Sequence, residues 1–147
     1  MKTHRLARIA LLVLILTPCL ETSAQDKRWL SYEPAIVDLE GKLTVEEKFG
    51  PPNFGENPKT DAKVTVPILV LIEPVSIHGN PQYFPFNVEV AGIKRIQLIC
   101  EPGTRYDRLV GKRVVLKGTL FHAHTGGHYT DVVMDVQSIK VKRRRRK

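Results

Sequence analysis

Apolar and polar residues alternate along much of this chain, and clusters of proline, glycine and asparagine interrupt the alternation. Ile36 to Glu46 alternates as a half-buried strand does, and Gly41 inside it predicts a bulge or bend of the kind that curves a strand around a barrel. Phe49 to Pro58 cannot continue that strand, because its prolines lack the ladder N–H and its glycines favour turns. A second strand is predicted over Lys63 to Glu73, with Val64, Val66, Ile68, Val70 and Ile72 on one face and Leu69 and Leu71 on the other. Pro67 argues for an edge or bulged start. Pro74 to Gly92 then reads as a long loop carrying His78, Tyr83, Phe84 and Phe86, and Ile93 to Cys100 as a third strand. Thr104 to Val110 predicts one helical turn ended by Gly111. Arg113 to His124 and Tyr129 to Val141 complete the pattern as two strands of a hairpin, the first bent at Gly118. Five strands, a short helical piece between the third and fourth, and two bending glycines predict an all-β fold: a small five-stranded OB-like barrel, with a small β-sandwich as the alternative.

The first 24 residues read differently. Basic Lys2, Arg5 and Arg8 precede the apolar run Ile9 to Leu16, and Thr22-Ser23-Ala24 follows as a cleavage site, so residues 1–24 are expected to be a secretory signal peptide. That places the mature chain in the periplasm or outside the cell, and no later stretch is long and apolar enough to predict a transmembrane helix. Cleavage leaves Cys100 as the sole cysteine, which excludes an intramolecular disulfide and assigns stability to packing. The expected body, residues 25–139, forms one domain, and residues 140–147 form a basic, disordered tail.

Charge divides along the same line. The whole chain carries a formal +8, yet residues 25–139 hold 13 basic and 14 acidic groups, so the excess lies in the signal and the tail. The tail, with Arg143, Arg144, Arg145 and Arg146, is a candidate contact for an anionic surface, each such residue contributing about 1 kcal/mol near an anionic membrane. It has no interleaved aromatic residue, which argues against nucleic acid as its partner.

The densest chemistry lies at the predicted hairpin tip, Phe121-His122-Ala123-His124-Thr125-Gly126-Gly127-His128-Tyr129. With Gly126-Gly127 as a two-residue turn, His122, His124 and Asp131 share a face. With a three-residue turn His128 replaces Asp131. Either set offers donors suited to Zn or Cu, and both stand against the plainer reading of turn and packing residues. The chain lacks G-x-S-x-G, H-E-x-x-H, C-x-x-C and a phosphate-binding glycine loop, so the reading leans away from an enzyme and assigns no catalytic residue.

Several stretches carry a family resemblance. Tyr32-Glu33-Pro34-Ala35, Gly50-Pro51-Pro52-Asn53, Arg95-Ile96-Gln97-Leu98, Gly111-Lys112-Arg113-Val114 and Gly118 to Gly126 resemble the secreted bacterial family catalogued as domain of unknown function 4431. The chain departs from that family's pattern after Thr125-Gly126, where Gly127 and Tyr129 stand in place of further histidines and only His128 is kept. The resemblance implies an exported bacterial protein, is consistent with a β-barrel, and supplies no activity. The expected function is therefore that of an exported, non-enzymatic binding module for a protein or small-molecule ligand, with the histidine tip and the Tyr83–Phe86 loop as contact surfaces. A metal-binding protein or small metallo-hydrolase using the same histidines, and an envelope protein held by its tail, are the alternatives.

Overall fold

A computed structural model describes residues 28–83 and 85–142. The expected signal peptide, Phe84 and Arg143 to Arg146 lie outside the described residues. Six strands are present: β1 (Arg28–Ser31), β2 (Ile36–Phe49), β3 (Lys63–His78), β4 (Val90–Cys100), β5 (Arg113–His122) and β6 (Val132–Val141). They pair in the order β1-β3-β2-β5-β6-β4, and an additional β3–β4 ladder closes β2 to β6 into a five-stranded barrel with β1 added outside it. All barrel pairings are antiparallel except β4 with β6, which run parallel. The order matches the expected OB-like barrel, and closure removes the sandwich alternative. The short helical piece is a 3-10 turn over Tyr106–Leu109, and Gly111 follows it at φ +81°, a conformation that favours glycine.

Alternation explains the core. Leu39, Leu43, Leu69, Ile96, Leu116, Leu120 and Met134 point inward from the five barrel strands and are fully buried or nearly so. Truncating one such side chain to alanine costs roughly 2–5 kcal/mol, so each is a large share of a small barrel's stability. The two glycines expected to bend strands are the places where backbones approach most closely. A Cβ on Gly41 would lie 2.5 Å from the Val70 carbonyl oxygen, and one on Gly118 would lie 2.0 Å from that of Asp135. Opposite Gly118 the β5–β6 register shifts, with Lys117 paired to Ser138 but Gly118 to Val136, so Gln137 is an extra, unpaired residue. Such a bulge turns a side chain out of the alternation.

Several boundaries differ from the sequence reading: β2 runs on to Phe49, and β5 ends at His122 rather than His124. β3 does not stop at Glu73 but runs through Pro74 to His78, because Pro74 falls in the irregular stretch between Val70 and Val75 where the ladder to β4 shifts and no N–H is needed. Val75 to His78 then pairs in parallel with β1, an N-terminal arm in which Trp29 stacks on His78 at 4.5 Å. β4 accordingly starts at Val90 rather than Ile93, and Ile93 faces the core together with Ile96 and Leu98. β6 starts at Val132, not Tyr129. At its other end it reaches Val141 as expected of the strand, and Lys142 bonds through its N–H to the Arg113 carbonyl and through Nζ to Glu40 at 2.8 Å, so the first residues of the expected tail are held at the sheet.

Candidate functional site

Three connections meet around one end and flank of the barrel: Gly50 to Ala62, Gly79 to Glu89, and Ala123 to Asp131. The first is organised by Asp61. Its carboxylate accepts the N–H groups of Asn53, Gly55 and Asn57 and the Asn53 side-chain amide, at 2.7 to 3.2 Å. Burial works to raise the Asp61 pKa, but these donors together outweigh it and hold the carboxyl below its ordinary value. The loop so fixed lays the Phe54 ring against Gly126, where a Cβ would meet Phe54 at 2.9 Å.

The histidine-bearing loop is nine residues long, and neither register expected from its glycines occurs. His122 pairs with Val132, and the Ala123 N–H bonds to the Asp131 carbonyl. The reason is Gln97 on β4, a buried polar residue inside an apolar run. Its side chain accepts the Tyr129 N–H at 2.6 Å and donates to the Gly127 carbonyl at 3.0 Å, while its backbone N–H bonds to the Thr130 hydroxyl. The returning chain is thereby drawn to β4 instead of continuing the ladder with β5. The Tyr129 hydroxyl adds a 2.7 Å bond to the Phe49 carbonyl, tying this loop to the end of β2.

The histidines divide accordingly. The His122 ring stands edge-on to buried Tyr32 at 6.4 Å, whereas His124 and His128 lie 4.8 Å apart and both contact Phe121. Asp131 lies near Tyr32, where burial first and its charge second push the phenol up to about 12. Hydrogen bonds fix what each imidazole can do. Nδ1 of His122 faces the Ala123 carbonyl and Nδ1 of His124 the His122 carbonyl, so both carry the proton there and keep a lone pair on Nε2. His128 Nδ1 instead accepts the His124 N–H, leaving its proton on Nε2. Burial, then the neighbouring His124, hold the His128 pKa below its ordinary value. Among the described residues no three His, Cys, Asp or Glu side chains are arranged to hold one metal ion, so His122, His124 and His128, or Asp131 in place of His128, are not assembled as a ligand set in this conformation.

What the structure does bring together is the pair of surfaces singled out in the sequence. A cleft of about 310 Å³ lies between Tyr83 and Phe86 on one side and Phe121, His122 and His124 on the other. It shares Glu33, Tyr83 and Asn87 with a larger hollow of about 480 Å³ that extends over Ile36, Thr119 and the bulged Gln137. Together they form one groove. Its aromatic wall is shaped by backbone turns, with the Phe86 N–H bonded to the Tyr83 carbonyl and the Tyr83 N–H to that of Asn80. Tyr32 braces the loop from below through its hydroxyl, 2.8 Å from the Val88 carbonyl. Sequence reasoning missed Glu33, Asn87, Thr119 and Gln137 as groove residues. None had a local signal: Gln137 is turned out by a bulge that only the β5–β6 register reveals.

Fold and groove define the class: a closed five-stranded OB-like barrel with a side-chain-lined groove on its flank. Residues 95–140 match the family described as domain of unknown function (DUF4431), a segment that runs from β4 through the histidine loop to β6. The N-terminal stretches that also carried the resemblance, Tyr32 to Ala35 and Gly50 to Asn53, fall outside the matched residues. No curated protein and no solved structure matches the chain.

Proposed function

We propose that this chain is an exported binding module whose ligand occupies the groove between the aromatic loop and the histidine loop. One observation carries the reading: Tyr83 and Phe86, 52% and 60% exposed, face the same cleft as His122 and His124 rather than packing into the core. Large aromatic surface left in water at a concave site, beside a few fixed polar groups, is the composition of a ligand pocket. Phenol is a suitable probe because it carries both an apolar face and a hydroxyl. In backbone-amide NMR spectra it is expected to shift Phe86, Asn87 and His122 and to leave the neighbourhoods of exposed Ile72 and Val141 unchanged. Shifts spread equally over Ile72 and Val141 would remove the groove from consideration.

Export rests on the signal-like residues 1–24. Expression of the full chain in a bacterium is expected to yield a periplasmic product beginning at Gln25, and an uncleaved precursor retained in the cytosol would overturn it. A metal-binding reading keeps one specific support, the two Nε2 lone pairs of His122 and His124, each oriented by a backbone carbonyl as ligating histidines commonly are. Zn²⁺ titration of the untagged protein, with His122→Ala as control, decides it: absence of stoichiometric uptake at neutral pH removes this reading.

A further inference from the structure

Resting on the groove reading above, we infer that the groove takes an uncharged oligosaccharide. Three features of the wall point to that chemistry. First, no lysine or arginine is among the described residues lining either part of the groove, and its carboxylate, Glu33, lies where both parts meet. An anionic chain such as a nucleic acid or a uronate polymer would meet that carboxylate with no lysine or arginine among the described lining residues to offset it. Second, the polar groups that converge there are donors and acceptors without net charge. The Asn87 and Gln137 amides and the Thr119 hydroxyl each both donate and accept, which suits ligand hydroxyls that do the same. Third, Tyr83 and Phe86 are more than half exposed at the cleft, leaving aromatic surface against which the apolar C–H face of a sugar ring can lie.

The wall also argues against an extended peptide. Peptides commonly bind by adding a strand to an unpaired sheet edge. Here Thr119 on β5 is paired on both sides, with Ile36 of β2 and Asp135 of β6, so the groove floor there offers a side chain and no free ladder. Gln137, skipped in the β5–β6 ladder, is put there by the bulge opposite Gly118. Gly118 thus has a second consequence beyond bending β5: it is the backbone contact that turns an amide toward the groove. Small barrels of this architecture include oligosaccharide binders, which makes the ligand class compatible with the fold but does not by itself select it.

The test uses residues 25–147 and six probes: cellotetraose, maltotetraose and chitotetraose, the peptide tetra-alanine as the contrasting class, tetragalacturonate and phenol. At least one of the three uncharged sugars is expected to shift the backbone amides of Phe86, Asn87, Thr119 and Gln137 saturably. Tyr83→Ala combined with Phe86→Ala should weaken that binding about tenfold or more, while the spectrum of the remaining barrel is unchanged. Gln137→Ala, which removes one amide and leaves the bulge backbone, should weaken it by a smaller factor. Tetragalacturonate, the charged counterpart, should not bind. If none of the sugars shifts these amides but tetra-alanine does, the ligand class is wrong and the groove stands. If a sugar binds with equal affinity to the double variant, or no probe including phenol shifts the groove, the assignment of this surface fails.

Discussion

Two loops of similar length and composition do opposite things. Gly50 to Ala62 and Gly79 to Glu89 are both rich in proline, asparagine and glycine, and both join long strands of the barrel. The first turns its polar groups inward onto one carboxylate, Asp61, which is 8% exposed and gathers three backbone N–H groups. The second turns Tyr83 and Phe86 outward and keeps its shape through its own backbone turns, with one bond from the Tyr32 hydroxyl to the Val88 carbonyl at its far end. A loop whose polar groups are satisfied by a buried side chain serves the fold. A loop that spends its hydrogen bonds on holding apolar rings in water serves something outside the fold. The histidine loop combines both habits, fixed by Gln97 at one limb and presenting imidazoles at the other.

The largest expected effect of breaking this contrast is at Gln97. Gln97→Leu keeps the volume but leaves the Tyr129 N–H and the Gly127 carbonyl without their partner, at a cost of about 3 kcal/mol. Urea denaturation measures it, and a loss under about 1 kcal/mol would mean that the histidine loop holds its course without β4. Tyr129→Phe removes only the hydroxyl bond to Phe49 and should cost about 1 kcal/mol. The two losses should fall short of their sum when combined, because both anchor one segment, and strict additivity would show that they act on separate loops.

How much of this was readable beforehand follows from where the determining contacts lie. Strand alternation is local, so the barrel strands, the bends at Gly41 and Gly118 and the helical turn were legible. The course of the histidine loop was not, because loop length was reasoned from Gly126-Gly127 alone while the deciding residue, Gln97, is about 30 positions away in sequence and enters through the parallel β4–β6 ladder. A glutamine in the run Ile96-Gln97-Leu98-Ile99 was the available signal: a polar residue there must find buried partners. Pro74 misled for the converse reason. It looked like a terminator, yet the irregular register to β4 spares its missing N–H. The groove was half legible, since its aromatic and imidazole walls were visible as clusters, but that they face one cleft, with Glu33 also lining it, follows only from the tertiary fold.

Acid should separate the loops in order. His128 has a depressed pKa in the fold, so the stabilisation it lends is complete above the ordinary histidine value of about 6.5 and is lost as pH falls through its lower folded value. Protonation also removes the Nδ1 acceptor of the His124 N–H. Asp61 follows the same sign at lower pH: its contribution is intact above about 3.9 and disappears as pH drops through its depressed value. The amides of Asn53, Gly55 and Asn57 should therefore titrate together with a midpoint below about 3.9, after the His124 amide has already shifted. A common midpoint for both loops would erase the distinction between them.

The smallest effect on stability is expected where the proposed function is greatest. Phe86→Ser should change the folding free energy by less than about 0.5 kcal/mol, because the ring is more than half exposed and removing it orphans no hydrogen bond. The turn that positions it uses the residue's backbone N–H, which serine retains. A loss of 2 kcal/mol or more on the same urea scale would instead place Phe86 among packed residues and make the aromatic loop a second structural loop like that of Asp61. Stability unchanged and phenol shifts lost, in one variant, is the combination that only an outward-serving loop can produce.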